Sequence, residues 1–548
     1  MKAKVTTSLA MALALVSTFL LGTMRWNGIA MTLASRTRVP IPYERFIKMF
    51  SAEHKAPFSS KMLATSGQYQ IYGRDGLQRA RTYASTLPRP EHNIKVNQDH
   101  NPWPKINVAT AVNPLNGRNF LAVSNDVRQF FSHPFYHVTI DGGKTWIDDT
   151  IAGPMNPSTS SAYSFTSDPD AAFDLNNHSL ISSVSGNTLM DFQANYANFD
   201  TQVNLSIGYQ QGIYTANTTT AIDYLPCSGP INSPAASSCQ GQLDKAHVMV
   251  DTVAGSPTRN RIYVYYTYFC TGSHQGNTLG PCKDGDVTIP ARSSAILEAH
   301  AEGTGLPFSK PVLVSGSLSQ AQFSDMVIDQ HGVAHIFFED FSATPTIKLY
   351  ESTLFKDTWS VISQPVTTFT YLGMNNPRWS FHDIGTVAPG CAIKHSTAYC
   401  AFSASQIESG TTYTTPNVYL AAVDTATGTA RVQQVNNDNP RNLKDHFFPW
   451  AAVNSKGHIY VGWYDNRDDT PGARVAYFVG KSQDGGRSFP RQQAVSDTRF
   501  YPCAGFPSCG YFNDYNQLVI GPDDVVHATW TDTRDGMTQQ IYTQSVTW

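Results

Sequence analysis

Charge is scarce in this chain. Asp, Glu, Lys and Arg make up 15% of its 548 residues, and the formal net charge is −3. With a balance so near neutral and no basic stripe, no nucleic-acid partner is expected. Long apolar runs are scarce as well. One, from Leu9 to Leu21, follows Lys2 and Lys4; it is short for a bilayer span and suits the core of a signal peptide. Cleavage after Ala30 or Ala34 is expected, giving a leader over 1–34, with an uncleaved anchor as the alternative. No second such run exists, so the remainder is expected to be soluble and secreted or periplasmic, with no membrane association once the leader is removed. Cys-x2-Cys spacing is missing, which argues against structural zinc. A complete phosphate loop, a Gly-x-Ser-x-Gly elbow and a His-Glu-x-x-His pair are also missing. No metal and no cofactor is expected on these grounds.

Aromatic residues, by contrast, reach 12%. Many aromatics with little charge suit a packed all-β chain and not a disordered one. The eight cysteines fall into four close couples, Cys227/Cys239, Cys270/Cys282, Cys391/Cys400 and Cys503/Cys509. In an exported chain these read as loop-closing disulfides, and exchange of partners between the first two couples is the alternative. Residues 35–92 are rich in Arg and Lys and show no strand alternation, so they are read as a basic extension or linker. The β pattern starts at 93 and runs to 548.

Two stretches share one pattern, Ser/Thr-x-Asp-x-Gly-x-Thr/Ser-aromatic: Thr139-Ile-Asp141-Gly-Gly143-Lys-Thr145-Trp146 and Ser482-Gln-Asp484-Gly-Gly486-Arg-Ser488-Phe489. A tight turn explains each choice: the carboxylate accepts turn N–H groups, and glycine tolerates positive φ. A second repeat reads strand, turn, strand, as in Val453 to Asp465, Ile328 to Asp340 and Ile520 to Asp532. Looser copies give seven units starting near 106, 168, 244, 324, 382, 445 and 514. Spacings of about 55–80 residues suit four-stranded propeller blades with insertions. Insertions of loop composition are expected at about 187–240 and 268–292. The last unit is one strand short, and Ile94-Lys-Val is expected to supply it beside Ile541, since a ring must not leave an open edge.

The two Asp turns match the Asp-box at every defining position, and the chain resembles secreted sialidase-like (Asp-box, BNR-repeat) β-propeller proteins over roughly 93–548. The resemblance and the repeat count imply an all-β, seven-bladed β-propeller, with six blades as the alternative. The resemblance also implies an exo-acting glycoside hydrolase on an anionic sugar, working as a monomer on carbohydrate or glycoconjugate. The other reading is a non-catalytic propeller that binds glycan, cell-wall polymer or protein.

The repeat sorts residues by face. Turns between third and fourth strands carry the Asp-boxes on one face. Starts of first strands and ends of second strands meet on the other. There lie Asp126, Asp445, Asp465, Asp514 and Asp532 as candidate catalytic carboxylates, with Tyr515 as a candidate nucleophile. Sialidases use such a Tyr and hold the substrate carboxylate with arginines, whose planar fork fits it. Asp126-Val-Arg128, Asp465-Asn-Arg467 and Asp532-Thr-Arg534 come from the first, sixth and seventh units, which adjoin when the ring closes. Arg128, Arg467 and Arg534 are therefore the candidate substrate-binding residues. If they are structural instead, each should pair with an Asp of a neighbouring blade.

Overall fold

The computed structural model describes residues 93–548 apart from 100–102, 127–131, 192–195, 209–218, 231–240, 374–388, 406–414, 440–442, 503–511 and single residues or pairs elsewhere. The expected leader and basic extension lie outside the described residues. So do Arg128 and the couples Cys227/Cys239 and Cys503/Cys509.

Seven antiparallel sheets of four or five strands succeed one another along the chain, with three smaller ones in the insertions, and among the described residues there is no helix. Blade 1 comprises Lys105–Asn113, Asn116–Asp126, His133–Thr139 and Ile147–Thr150; blade 2 comprises Phe165–Phe173, Ser179–Gly186, Thr201–Gly208 and Thr219–Leu225. Blades 3 to 6 start with Gly241–Val250, Ala321–Ile328, Gly390–Lys394 and His446–Val453, and blade 7 with Gln517–Ile520. These first strands pack against one another in sequence, and the strand of blade 7 returns to that of blade 1. Blades stack face to face, so a middle strand is buried on both sides and reads as a nearly unbroken apolar run. Ile262–Cys270, Ile-Tyr-Val-Tyr-Tyr-Thr-Tyr-Phe-Cys, is buried at every position but one.

The ring closes as expected. Ile94 and Lys95 pair with Thr543 and Tyr542, and the Val96 N–H donates to the Ile541 carbonyl at 2.8 Å. Seven blades, not six, form the all-β propeller. Two expected loops are more ordered than their composition suggests. Thr201–Gly208 and Thr219–Leu225, inside 187–240, are the third and fourth strands of blade 2, and Val203, Leu205 and Ile207 alternate into its core. Inside 268–292, Cys282–Asp284 and Val287–Ile289 form a hairpin. Cys270 bonds to Cys282 and Cys391 to Cys400, so the first of these excludes the exchanged pairing for its couple.

Neighbouring first strands lean on side chains. Gln517 of blade 7 accepts the Thr110 N–H of blade 1 at 2.5 Å and donates to Asp170 of blade 2 at 3.1 Å. Asp170 accepts the Val248 N–H of blade 3 at 3.1 Å, and Asp325 of blade 4 accepts the Cys391 N–H of blade 5 at 2.7 Å. Polar side chains thereby satisfy buried backbone donors between sheets, as burial requires.

The strand–turn–strand repeat is an Asx turn. Asp329 accepts the His331 and Val333 N–H groups at 2.8 and 2.9 Å, and Asn454 accepts those of Lys456 and His458 at 3.1 and 2.9 Å. The turn needs a left-handed residue, supplied by Gly332 and Gly457 at φ 81° and 77°. On the same face, Asp484 accepts N–H groups of Arg487 and Ser488 at 2.9 and 3.0 Å and the Ser488 hydroxyl at 2.6 Å. Burial raises the proton affinity of Asp484, but hydrogen bonds from Ser488, Ser482 and the Arg487 N–H together outweigh it and hold the carboxyl well below the usual range. Asp484→Ala is expected to cost about 1 kcal/mol, at the low end for a lost acceptor because the site is exposed. A depressed carboxyl stabilises the fold above its unfolded value near 4 and loses that contribution as pH falls. The deficit in urea midpoint should therefore be present at pH 7 and shrink toward pH 3.

Candidate active site

Five first strands carry a β-bulge at their start, each with one residue in the left-handed region: Asn107 (φ 55°), Asp168 (49°), Lys245 (51°), Phe323 (48°) and Phe448 (51°). These belong to blades 1, 2, 3, 4 and 6. Asn and Asp tolerate this conformation; Lys and Phe do so at a cost. A bulge leaves one residue unpaired and re-aims its side chain. The five occupy one position of the repeat, yet their chemistry differs from blade to blade.

On one side of the axis they are polar and converge. Lys245 Nζ bonds to Asp514 of blade 7 and lies 3.4 Å from Asp168 of blade 2. Blades 3 and 7 are separated by blades 1 and 2, so the Lys245–Asp514 contact reaches across the axis. Asn107 donates to Asp168 at 2.9 Å and to Asp514 at 3.2 Å. Asp244 hydrogen bonds to Asp168. All these residues are buried, and Asp514 Oδ1 has no hydrogen-bond partner among the described residues. On the other side, Phe323 and Phe448 pack in the same apolar cluster as Trp450 and Tyr515.

Burial pushes the Asp168 and Asp244 carboxyls toward the protonated form, but their neighbours divide them. Around Asp168, burial is outweighed by the Lys245 charge and by hydrogen bonds from Asn107, Asp244 and Asn125, so its carboxyl is held below the ordinary range. Asp244 is raised to about 7, by burial first; Lys245 opposes the shift and Asp168 adds to it. Burial would discharge Lys245, but Asp168, Asp514 and Asp244 hold it charged. The cluster thus presents one ionised carboxylate beside a carboxyl that keeps its proton to about neutrality, with an ammonium between them. Such a set can donate and accept a proton within one site.

No sequence family matches the chain, and no curated protein matches it in sequence. Among solved structures it is similar to the GH93 α-L-arabinofuranosidase of Fusarium graminearum in complex with arabinobiose, at 11% identity and TM-score 0.41, over 83% of this chain and 97% of that one. It is also similar to the α-L-arabinanase of Penicillium chrysogenum (8% identity, TM-score 0.38, 84% and 99% covered). A third similar structure is the NanB sialidase of Streptococcus pneumoniae (11% identity, TM-score 0.39, 85% and 72% covered).

Of the residues expected from sequence, Asp514 and Tyr515 lie in the axial cluster. The Tyr515 hydroxyl donates to the Pro169 carbonyl at 3.3 Å. Burial and the charges of Asp168, Asp170 and Asp514 push it well above the usual phenol range, so it stays neutral. Of the other carboxylates, Asp126, Asp465 and Asp532 end second strands, and Asp445 precedes the first strand of blade 6. Asp465 accepts from Trp463 Nε1, Arg467 N and Arg467 Nε, each at 2.7 Å. Asp532 accepts from Trp530 Nε1 at 2.9 Å, Arg534 N at 2.7 Å and Arg534 Nη2 at 2.6 Å. Both arginines also reach the preceding blade: Arg467 lies 3.5 Å from Asp438, and Arg534 bonds to Asp497. Asp126 lies 3.6 Å from Lys105. Asp445 accepts from Asn466 Nδ2 at 3.1 Å.

Lys245, Asn107, Phe323 and Phe448 escaped the sequence reading. A signal was present: they sit three residues before Val248, Thr110, Met326 and Ala451, in the frame of Asp168 and Ala171. Aligning the blades on that frame and asking which position varies in chemistry points to them.

Proposed function

We propose that the chain is a propeller of the glycoside-hydrolase type whose working site is the axial cluster. Asp244 donates the proton, Asp168 is the ionised carboxylate, Lys245 bonds to it and to Asp514, and Phe323 and Phe448 form the apolar side against which a sugar ring lies. The observation that carries this is the Lys245–Asp514 contact across the axis, which gathers three carboxyls from blades 2, 3 and 7 beside an aromatic surface. Sugars ask for that combination, because their rings offer both hydroxyls and apolar C–H faces. Lys245 is already engaged by Asp168 and Asp514, so the cluster offers no unengaged cation to an anion, which favours a neutral sugar over the anionic one expected from sequence. Arg467 and Arg534, two of the three arginines expected to hold an anion, are engaged by Asp465, Asp438, Asp532 and Asp497. Work outside the cytoplasm fits the two disulfides.

The test is a screen of the purified protein against neutral and anionic glycosides, with Asp244→Asn and Asp168→Asn alongside. Each substitution is expected to lower turnover by about 10²–10⁴, the usual worth of a positioned acid or base. The wild-type rate should fall as pH rises through 7, as Asp244 loses its proton. No turnover of any glycoside would remove the enzyme reading. Turnover that survives both substitutions would move the site elsewhere. Saturation of Lys245 by Asp168 and Asp514 favours a second reading, a propeller that binds glycan without cleaving it, which predicts binding without turnover in the same screen.

A further inference from the structure

A second carboxyl pair lies away from the axial cluster. The hairpin Cys282–Ile289 is inserted between the second and third strands of blade 3 and tied at its start by the Cys270–Cys282 disulfide. It turns Cys282, Asp284 and Ile289 inward and leaves Lys283, Gly285, Asp286 and Thr288 exposed. Cys282, Ile289 and Val287 join the apolar cluster of blades 2 and 3. Asp284 is the one charged side chain on the docked face. It meets Asp223 of the outermost strand of blade 2, Thr219–Leu225, and the two carboxyls hydrogen bond to each other. They are 9% and 7% exposed.

The surroundings offer protons and no counter-ion. From the second strand of blade 3, Tyr266 donates to Asp223 at 2.8 Å, and Tyr268 stands close by. From the third strand, Glu298 adds a further negative charge near Tyr266. Lys283, on the hairpin itself, is exposed on the opposite side. Among the described residues no Lys, Arg or His pairs with either Asp, and Asp284 Oδ2 is buried without a hydrogen-bond partner. Two carboxylates at hydrogen-bond distance cannot both be ionised in such a place without strong repulsion.

We propose that Asp223 and Asp284 are a proton-sharing latch that holds the Cys282–Ile289 hairpin against blade 2 and releases it as the solution turns alkaline. The chemistry is one proton between two oxygens. While it is present, one carboxyl donates to the other and the hairpin stays docked. When it leaves, two negative charges from separate elements face each other, and the hairpin, cross-linked at its start by Cys282, moves off the apolar surface under Ile289 and Val287. Asp284, raised to about 8 by burial and then by Asp223, and Asp223, raised by burial, set the direction. A carboxyl raised in the folded state favours docking fully below its free value near 4, and that contribution is lost as pH climbs through the raised value.

Hydrogen exchange of the full chain, followed at the peptide spanning 282–289 and corrected for the intrinsic pH dependence of exchange, tests this. Protection of the hairpin amides is expected to fall by at least about tenfold between pH 6 and 9, the effect of one unit of pKa difference. A peptide spanning Asp484 should keep its protection. Asp284→Asn replaces the shared proton with a permanent donor and should hold the hairpin's protection flat over the same range. Asp223→Asn should do the same by the opposite partner, and it serves if the first variant folds poorly. A flat wild-type profile, or the same fall in both variants, overturns the proposal. Full restoration of wild-type protection at pH 9 by millimolar calcium would overturn it too, because the pair would then be a cation site and not a proton latch.

Discussion

Lys245→Met is expected to destabilise the propeller by about 3–5 kcal/mol, the cost of breaking a buried ion pair from one side. Methionine keeps much of the length and volume, so the loss reports charge more than packing. Lys245 is the cation shared by Asp168 and Asp514. Without it, Asp514 loses its cation and Asp168 remains in a site where burial already favours protonation. The pH dependence should change as well. In the wild type, Asp168 is depressed, so its contribution is present above the unfolded value near 4 and is lost on acidification. Asp244, raised to about 7, works in the opposite direction. In the variant, Asp168 joins Asp244 in being raised, and stability should then decline as pH rises from about 4 through 7. Urea midpoints at pH 5 and pH 8 check this. The deficit should be larger at pH 8. An equal deficit at both, or one under about 1 kcal/mol, would show that Lys245 is not the counter-ion of the cluster.

The ring was legible in the sequence because its signals are local and repeated. The Asx turn at Asp329 and Asn454, the Asp484 turn and the alternation between them follow from neighbours within five residues. The closing strand at Ile94 was legible for another reason: a blade with three strands leaves an edge that something must cover. Blade 2 was harder. The stretch around Thr201–Gly208 lies among Ser, Asn and Gly, and its Val203, Leu205 and Ile207 make a short apolar alternation that composition alone hides. The hairpin Cys282–Ile289 was hidden likewise, with three inward residues in eight.

Sites are less legible because they depend on which side chains cross the axis. Asp514 and Lys245 are 269 residues apart, and nothing near either in the sequence announces the other. Left-handed backbone at Lys245, Phe323 and Phe448 is equally silent, since neither residue type favours it. The arginines were noticed for their spacing, two residues after an Asp at a strand end. That spacing is itself the local explanation. An Asp and an Arg so placed can bond to each other around the strand end, with the Trp two residues earlier as a third partner, as Asp465 and Asp532 do.

Arg534→Ala should therefore cost stability and should also loosen one place in particular. Arg534 bonds to Asp532 at 2.6 Å, to Asp497 in the chain leaving blade 6, and to Asn93 at 3.0 Å, and its guanidinium lies 3.9 Å over the Tyr542 ring. Asn93 in turn exchanges backbone and side-chain bonds with Asp497 at 3.0 and 2.6 Å. Arg534 thus ties the closing strand Ile94–Lys95 to the last two blades. Its removal leaves Asp532, fully buried in its side chain, with only the Trp530 and backbone donors, at an expected cost of about 3–5 kcal/mol. Exchange protection at Ile94 to Val96 and at Tyr542 and Thr543 should fall before that of blade 4. Arg534→Lys keeps the charge but not the fork, so it should recover only part of the loss. Arg467→Ala, with the matching contacts to Asp465 and Asp438 but no closing strand, should lower stability without that local opening. If Arg534→Ala left the midpoint unchanged and abolished binding of an anionic glycoside instead, Arg534 would be a ligand clamp and not the closure of the ring.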